Sequence, residues 1–366
     1  MSTRFKFRLA VEADDGALRA VIRQTSMPSS VSVAFAREPS FFTAEHLGNT
    51  KHQTLICEDQ ETGKIVGVGS RSIRRVYVDG EPKAVGYLSS LRLLPEARGG
   101  TALVRGYRYF RHLHSDGEVP YYFTTIFEEN LAARQVLENE RAGMPRYLPM
   151  GSLVTYLIPL RKRRSVISRT EVARCNGELS QAQRCLEQWN SSHQFSPVYA
   201  VEDMTDSDLL PAFSIENLYV CKNRHEVIGT LAVWDQQSFK QTVVTGYSAG
   251  MKVARPFYNG FAMVRGHPLL PQVGSQIWSV YACFVSSKDD NLDVFGSLIE
   301  KARADWSGRG YDYLLVGLSE QSKLGIVARR LATRELISKI YLVHWQDEKV
   351  ELPTSQRTPH LEVATL

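Results

Sequence analysis

Cysteine is scarce in this sequence and long apolar runs are missing, and both absences narrow the class of protein. The five cysteines are widely separated and include no Cys-x-x-Cys pair, a pattern that favours reduced thiols in a cytoplasm over a disulfide framework. No apolar run reaches the ~18 residues that a membrane-spanning helix needs. Residues 1–7 are polar and charged, unlike a signal peptide. We therefore expect a cytoplasmic protein that does not associate with membranes.

A concentrated charge of one sign is missing as well. The net charge is +5, and the basic residues are scattered along the chain instead of forming a stripe, so the sequence makes no strong case for nucleic-acid binding. The nine histidines are dispersed, and the only close pair, His112 and His114, falls on different faces of a helix. This spacing predicts no metal site. The modest positive charge suits an acidic ligand such as a nucleotide phosphate.

The length of 366 residues predicts two domains, because one domain typically holds about 100 to 200 residues. Four consecutive basic residues at 161–164 repel one another and predict a solvated linker. A nucleic-acid or membrane role for them is the weaker alternative, because no aromatic residue interleaves with the charges. We therefore expect a first domain over residues 1–160, a basic linker over 161–175 and a second domain over 176–366.

Both halves show a similar order of predicted elements. Each contains an apolar strand that ends in a cysteine, Cys57 or Cys221, followed by a strand with an interior glycine, Gly67 or Gly229. In the first half Asp79-Gly80 predicts a hairpin turn. The predicted strands and helices lie at 64–78, 84–94, 101–114, 119–127, 130–139 and 152–160 in the first half, and at 277–285, 292–306, 311–318, 323–332 and 337–345 in the second. The order favours a related architecture in the two halves.

The stretch LRLLPEARGG at residues 91–100 is the most informative in the chain. An apolar strand is stopped by a proline, and an arginine and two glycines then open a helix. Such a turn directs consecutive backbone N–H groups outward at the positive end of a helix. The turn therefore predicts an anion site, most simply for the pyrophosphate of a nucleotide cofactor.

This strand and turn, followed by another strand and by NLAAR at residues 130–134 on a second helix, resemble the GNAT superfamily of acyl-CoA-dependent N-acyltransferases. The resemblance covers about residues 7–160. It implies an α/β (α+β) protein of two GNAT-like domains in tandem, each with a mixed, mostly antiparallel twisted sheet flanked by helices. In that family a bulge splays the strand before the turn from its neighbour, and free backbone groups bind the pantetheine arm and the thioester. Here those groups belong to Leu91 and Leu93.

The phosphate loop of the family reads Arg/Gln-x-x-Gly-x-Gly/Ala, and the register lays it over residues 98–103. Thr101 and Leu103 occupy the two positions where the family has small residues, and a side chain there obstructs the approach of phosphates. An earlier tight turn can compensate, and Thr101 can cap the helix or donate its hydroxyl to a phosphate. The resemblance places the cofactor contacts of this loop at Arg98, Gly99, Gly100, Thr101, Ala102 and Leu103.

In the second motif, Asn130 stands where the family has a polar residue facing the cofactor arm, and Ala133 where it has a small residue. Leu137 stands where many members have a tyrosine that protonates the leaving thiolate. Tyr147 and Tyr156 lie downstream, and a phenol suits a thiolate as proton donor, although a tyrosine half-buried in a sheet is the plainer interpretation of either.

A carboxylate is the usual base for an attacking amine, and Glu128 and Glu129 are the nearest candidates. As first-turn acids of the following helix they are equally well explained by its dipole. Ser89 and Ser90 on the splayed strand are candidates to bind substrate or orient a water, or simply to fill a tight sheet.

In the second half the place of the cofactor turn is taken by SSKDDN at residues 286–291, which has no glycine and two aspartates that repel a pyrophosphate. We therefore expect a degenerate, supporting GNAT-like domain there. The predicted function is an N-acyltransferase, most simply an N-acetyltransferase, that moves an acyl group from acetyl-CoA or another acyl-CoA to a small-molecule or peptide amine by direct attack. A non-catalytic GNAT-like binding or regulatory protein and an aminoacyl-tRNA-dependent transferase are the alternatives. A homodimer is left open.

Overall fold

The computed structural model describes residues 4–27, 29–45, 47–139, 142–160, 171–346, 350–354 and 356–366. The four basic residues at 161–164, which predict a linker, lie outside the described residues. The described part of the chain is a mixed α/β structure of fifteen strands and seven α-helices, and the predicted fold class is confirmed.

The described residues of the first half form seven strands and three α-helices. Its strands lie at Phe5–Leu9 (β1), Val31–Ala36 (β2), Lys51–Asp59 (β3), Lys64–Val78 (β4), Glu81–Leu93 (β5), Tyr122–Phe127 (β6) and Arg146–Pro159 (β7). Its helices lie at Asp15–Gln24 (α1), Ala102–His114 (α2) and Leu131–Leu137 (α3). The β4–β5 hairpin turns where the sequence predicts it, because Asp79 and Gly80 both have a positive φ, 55° and 90°, as a tight two-residue turn requires.

In the second half, the part of the chain that the structure describes forms eight strands and four α-helices. Its strands lie at Glu171–Arg174 (β8), Leu218–Asn223 (β9), Glu226–Trp234 (β10), Gln241–Tyr247 (β11), Gln276–Ile277 (β12), Ser279–Ser287 (β13), Tyr313–Ser319 (β14) and Arg334–His344 (β15). Its helices lie at Leu179–Ser191 (α4), Ala249–Arg265 (α5), Leu292–Trp306 (α6) and Gly325–Leu331 (α7). The last residues of the predicted linker thus belong to β8, which pairs with β9, and that part of the linker prediction is wrong.

One twelve-stranded sheet joins the two halves in the order β1-β3-β4-β5-β6-β15-β7-β14-β13-β10-β9-β8. The order has the same pattern from either edge, with one parallel pair in each half, β5–β6 and β13–β14. At the centre the halves exchange strands, because β15 lies between β6 and β7. The similar element order of the two halves is therefore present in the sheet. The domain boundary at residue 160 stays a prediction, since the sheet runs continuously across it.

A second, three-stranded sheet in the order β12-β11-β2 is absent from the sequence-based expectations, as are α4 and α5. β2 and β11 pair in an antiparallel ladder across about two hundred residues of chain, so neither segment has a local partner that would mark it as a strand. This small sheet brings residues from both halves together over the large sheet.

The two faces of the large sheet in the first half carry different helices. Helix α1 packs on the face that includes Val66 and Val68 of β4, and helix α2 packs on the face that includes Ile73 of β4 and Leu88 of β5. We call these the α1 face and the α2 face. Residues directly opposite each other on paired strands share a face, so the α1 face continues into β5 at Arg92, which is paired with Val68.

Two absences hold for the described residues. No helix among them is long and apolar enough to cross a membrane. No group of three or more His, Cys, Asp and Glu side chains among them comes together where it could hold a metal ion.

Candidate functional site

A bulge in β5 opens a gap between β5 and β6. The pairing register of β4 and β5 shifts between Val68 and Ser70, and Ser90 has a φ of 55°, a conformation uncommon for residues other than glycine. Among the described residues, β6 pairs with β5 only at Tyr122 and Phe123. Past these pairs no ladder pairing joins β6 to the end of β5 in the described part of the chain, and we call the space along this unpaired end of β5 the gap.

The peptide groups of Leu91 and Leu93 face this gap. The Leu94 N–H donates to an oxygen of β4 at 2.8 Å, and alternate residues of a strand direct their peptide groups to opposite sides. The Leu93 oxygen accepts a hydrogen bond from Arg98 Nε at 2.8 Å. The Leu91 oxygen accepts one from Arg92 Nη1 at 2.9 Å. What the gap offers to a ligand is therefore chiefly the N–H groups of these two leucines.

The turn at 98–101 has the geometry of an anion site. Gly99 has a φ of 77°, and a Cβ added to Gly99 or Gly100 would meet no atom within 4 Å. The first N–H groups of α2 have no partner inside the helix, and its first turn contains no acidic residue. Open space, unpaired donors and the positive end of a helix therefore coincide at this turn, as the binding of a pyrophosphate requires.

The side chains around this turn do different things. Arg98 is exposed and ties the turn to the end of β5 through its bond to the Leu93 oxygen. Thr101 stands at the N-cap of α2, but its side chain makes no capping hydrogen bond, so the expectation that it caps the helix is wrong. Ala102 is buried in the core beside α1. Leu103 packs against the apolar cluster under α2.

Helix α3 follows the gap on the α2 face. Asn130 Oδ1 accepts from the Ala133 N–H at 3.3 Å and so caps the helix, while Ala133 and Leu137 pack into the core. A phenol does lie beside this helix, but it comes from β15: the Tyr341 hydroxyl is 3.3 Å from Arg134 Nε. Burial raises the pKa of Tyr341. Sequence reasoning missed Tyr341, because about two hundred residues separate it from α3.

No contact between any two of Tyr147, Glu128 and Ser90, the predicted catalytic residues, is found among the described residues. Tyr147 is buried in the core with its hydroxyl against that of Tyr107, and burial raises its pKa well above the ordinary value. Glu128 is more exposed, and its carboxylate pairs with Lys339 Nζ at 3.0 Å. Ser90 is half-buried at the bulge. The catalytic roles of all three stay predictions.

The α1 face carries a buried carboxyl group that sequence reasoning missed. Glu45 is 7% exposed and contacts the Thr54 hydroxyl and His52 Nε2 on β3. Thr54 Oγ1 lies 3.3 Å from Ser70 Oγ, and Ser70 is paired with Ser89 of β5. Burial raises the pKa of Glu45 to about 8. A titratable group thus lies two strands from the bulge, next to a row of hydroxyls that leads to it.

The second half repeats the bulge but fills it. Phe284 of β13 has a φ of 49°, and the register of β10 and β13 shifts after Thr230. The Phe284 N–H donates to Glu362 Oε1 at 2.5 Å, so a carboxyl group of the chain occupies the bulge. In the turn that follows, Trp189 Nε1 donates to Asp290 Oδ1 at 3.0 Å.

Comparison with solved structures relates this geometry to known folds. N-myristoyltransferase from Saccharomyces cerevisiae with bound myristoyl-CoA matches with a TM-score of 0.61 at 9% identity, over 94% of this chain and 80% of that chain. A GCN5-related N-acetyltransferase from Sphaerobacter thermophilus matches with a TM-score of 0.59 at 11% identity, over 97% of this chain and 100% of that chain. No protein-family model and no curated protein matches the sequence. At these identities the likeness shows the fold, and the chain has a GNAT-like fold in a tandem arrangement.

Proposed function

We propose that the protein is an acyl-CoA-dependent N-acyltransferase that moves an acyl group, most simply acetyl, to a primary amine. The observation that carries this proposal is the open gap at the Ser90 bulge, which leads to the glycine turn at the start of α2. A CoA thioester needs both features, because its pyrophosphate requires N–H donors at a helix N-terminus and its extended arm requires free strand backbone. The structural neighbours named for myristoyl-CoA and for N-acetyl transfer support it.

The chemistry is direct attack of the amine on the thioester. The amine nitrogen forms a bond to the carbonyl carbon, the C–S bond breaks, one amine proton passes to a base, and the CoA thiolate leaves. No covalent enzyme intermediate is required, because the gap holds the thioester where an amine can approach it. The N–H groups of Leu91 and Leu93, aimed into the gap, stabilise the oxyanion of the tetrahedral intermediate.

Glu45 is our candidate for the base, acting through water. Its pKa of about 8 lies near the pH at which most enzymes work, which is what efficient proton transfer requires. The Tyr341 hydroxyl, beside α3, is the candidate to protonate the thiolate, with Tyr147 as the alternative that the sequence suggests. Either phenol must approach the sulfur when CoA binds.

The second half serves as support and as one wall of the acceptor groove. Its own gap is filled by Glu362, and its small-sheet strand β11 pairs with β2 of the first half above the large sheet. The acceptor is a small molecule or a peptide. Whether the protein works as a monomer or a homodimer is decided by light scattering of the purified chain.

Isothermal titration with CoA and acetyl-CoA tests the proposal. We expect binding of both, and loss of binding in Arg98→Glu, because the new carboxylate repels the pyrophosphate and breaks the bond to the Leu93 oxygen. Arg330→Glu is the matched control, since Arg330 is exposed on α7 and makes no described hydrogen bond. Failure of the unaltered protein to bind either compound at micromolar concentration would rule out the acyltransferase.

Thiol release from acetyl-CoA in the presence of a panel of primary amines separates an enzyme from a binding protein. We expect release that depends on the amine. Tight binding of acetyl-CoA without release for any amine in the panel would instead favour the non-catalytic GNAT-like alternative.

A further inference from the structure

Basic side chains gather on the α1 face, beside the bulge of β5. The four are Arg37, Arg74, Arg92 and Lys240. Gln241 pairs with Ala36 across β11 and β2, which places Lys240 next to Arg37 where the two strands end. Lys240 Nζ lies 4.7 Å from the ring centre of Tyr281. Strands from both halves of the chain therefore bring cations to one place.

Two of these cations bind main-chain oxygens of residues 365 and 366. Arg74 Nη2 donates to the main-chain oxygen of Thr365 at 2.5 Å, and its guanidinium lies 4.1 Å from the ring centre of Tyr87. Lys240 Nζ donates to the main-chain oxygen of Leu366 at 2.6 Å. These contacts give both groups defined partners.

Arg37 and Arg92, unlike Arg74 and Lys240, have few or no hydrogen-bond partners among the described residues. Arg37 Nη1 is buried and has no hydrogen-bond partner among the described residues. Arg92 donates only to the Leu91 oxygen, at 2.9 Å, and its other donors are unused in the described part of the chain. Both residues are partly exposed as a whole, while Arg37 Nη1 itself is enclosed.

Positive charge is concentrated here, although the buried Glu362 carboxyl acts on Arg74. Burial, and then the nearby charge of Arg37, lowers the pKa of both Arg92 and Lys240. The carboxyl group that acts most strongly on Arg37 is that of Glu45, and burial raises the pKa of Glu45 to about 8. A buried guanidinium donor without a partner is costly, so Arg37, together with Arg92, is suited to bind an anion.

The position of Arg37 and Arg92 indicates which anion they would bind. Arg92 lies two residues after Ser90, and its guanidinium bonds to the backbone that lines the gap. The proposed pyrophosphate turn lies beyond the end of β5, at residues 98–101, so Arg92 is nearer to the thioester end of the gap than to the phosphates. An anionic group held here belongs to the acceptor.

We propose that the acceptor amine carries a carboxylate, and that the Arg37 and Arg92 guanidiniums bind it so that its amine reaches the gap. The proposal rests on the proposed acyl transfer. Two planar guanidiniums can each donate paired N–H groups to a carboxylate. An amino acid, or a peptide with an acidic group near its amine, is the class of acceptor that fits.

Matched acids and amides test this. Glycine, β-alanine and 4-aminobutyrate are compared with their carboxamides as acceptors for acetyl-CoA, by thiol release. At least one acid should be acetylated with a KM about tenfold or more below that of its amide, because a hydrogen-bonded charge contributes about that much. Amides that match or exceed all three acids would overturn the proposal while leaving acyl transfer intact.

Variants identify the residues responsible. Arg37→Met and Arg92→Met should each raise the KM for the preferred acid about tenfold or more and leave the KM of its amide unchanged. Arg37→Lys should give a KM for the acid between those of the unaltered protein and Arg37→Met, because lysine keeps the positive charge but cannot donate paired N–H groups. Arg330→Met on α7 should have the KM values of the unaltered protein. An equal fall of kcat for acid and amide, with KM constant, would assign the guanidiniums to the oxyanion and overturn the proposal.

Direct titration separates this proposal from the acyl transfer on which it rests. The same three acids are titrated into the unaltered protein and into Arg37→Met without CoA, with melting temperatures measured to confirm folding. Binding that Arg37→Met loses supports the carboxylate site even if no thiol release is seen. Absence of binding of all three acids at millimolar concentration would overturn it even if CoA binds.

Discussion

Ser90 in β5 and Phe284 in β13 hold the same place in the two halves of the sheet. Each has a positive φ, 55° and 49°, at a bulge three residues after a tyrosine, Tyr87 or Tyr281. The bulges differ in what lies against them. The Phe284 N–H is bound by Glu362, while no side chain in the described part of the chain accepts from the Ser90 N–H. One architecture thus gives an open gap and a filled one.

The filled gap predicts that Glu362 is structural. Glu362→Ala should lower the free energy of unfolding by about 1–3 kcal/mol, because the buried Phe284 N–H loses its acceptor. Glu362→Gln, which keeps an acceptor oxygen, should cost less, and the exposed Glu351→Ala should cost almost nothing. Urea unfolding measures all three. An alanine variant as stable as the unaltered protein would show that the carboxyl group does not hold the second bulge.

The open turn predicts a variant that loses CoA without losing stability. Gly100 does not need a positive φ, and a side chain there meets open space, so Gly100→Leu should change the free energy of unfolding by less than about 0.5 kcal/mol. The leucine would occupy the space that a pyrophosphate needs, and CoA affinity should fall below detection by titration calorimetry. Gly250→Leu at the start of α5, also in open space, is the control. Retained CoA affinity in Gly100→Leu would place the phosphates elsewhere.

Gly99 should respond in the opposite way. Its φ of 77° is costly for any residue with a Cβ, so Gly99→Ala should lose about 1–2 kcal/mol of stability, although no atom lies in the way of the new methyl group. Thermal or urea unfolding beside Gly100→Ala makes the comparison. Equal stability of the two alanine variants would mean that the turn does not hold this conformation.

Acid should weaken the fold through Asp116. Burial alone would raise the pKa of this carboxyl, but hydrogen bonds, above all from Arg71, lower it from the usual 3.8 to about 2. A lowered pKa contributes stability that is full above the unfolded value and is lost as the pH falls from about 4 towards 2. Because Asp116 is an exposed residue and solvent screens its ion pairs, the loss should be about 1 kcal/mol or less.

Comparison with Asp116→Asn isolates this contribution. The difference in unfolding free energy between the two proteins should be constant above about pH 5 and shrink below about pH 4, in urea unfolding measured across that range. A difference that does not change with pH would mean that Asp116 titrates in the folded protein as it does in the unfolded chain.

Local patterns in the sequence predict most of the first half. Asp79 and Gly80 allow only one kind of turn, and the apolar spacing in α2 and α6 gives their bounds within a residue. The elements that the sequence does not predict are those whose pairing partners lie far away along the chain. β2 and β11 stabilise each other across the two halves, and the exchange of β7 and β15 at the centre of the sheet leaves no trace in either strand.

The candidate site likewise has a part that the sequence predicts and a part that it does not. The glycine turn and α3 are contiguous motifs, and a resemblance can place them. Glu45 and Tyr341 come to the site through tertiary packing. The sequence held no signal for Glu45, because residues 51–54 at the start of β3 are all polar and His52 and Thr54 therefore do not stand out as one polar face.

The pH dependence of the reaction should report Glu45. As a base it acts when deprotonated, so kcat/KM should rise as the pH passes through about 8. Glu45→Gln should lose that limb and lower kcat/KM by about 10²–10⁴-fold, while the exposed Glu12→Gln keeps the unaltered profile. Thiol release at a fixed low acceptor concentration, measured across the pH range for all three proteins, gives the comparison. An unchanged profile in Glu45→Gln would assign the base elsewhere.

Stability gives the Glu45 variant an independent check, and its sign differs from that for Asp116. A pKa raised from 4.5 to about 8 means that the folded protein favours the protonated form. Its contribution to stability is full below the unfolded value and is lost as the pH rises through about 8. The glutamine variant cannot ionise, so it should gain stability relative to the unaltered protein between about pH 5 and pH 9 in urea unfolding. A loss of activity without this relative gain would mean that the substitution disturbs the His52 and Thr54 contacts instead of removing a base.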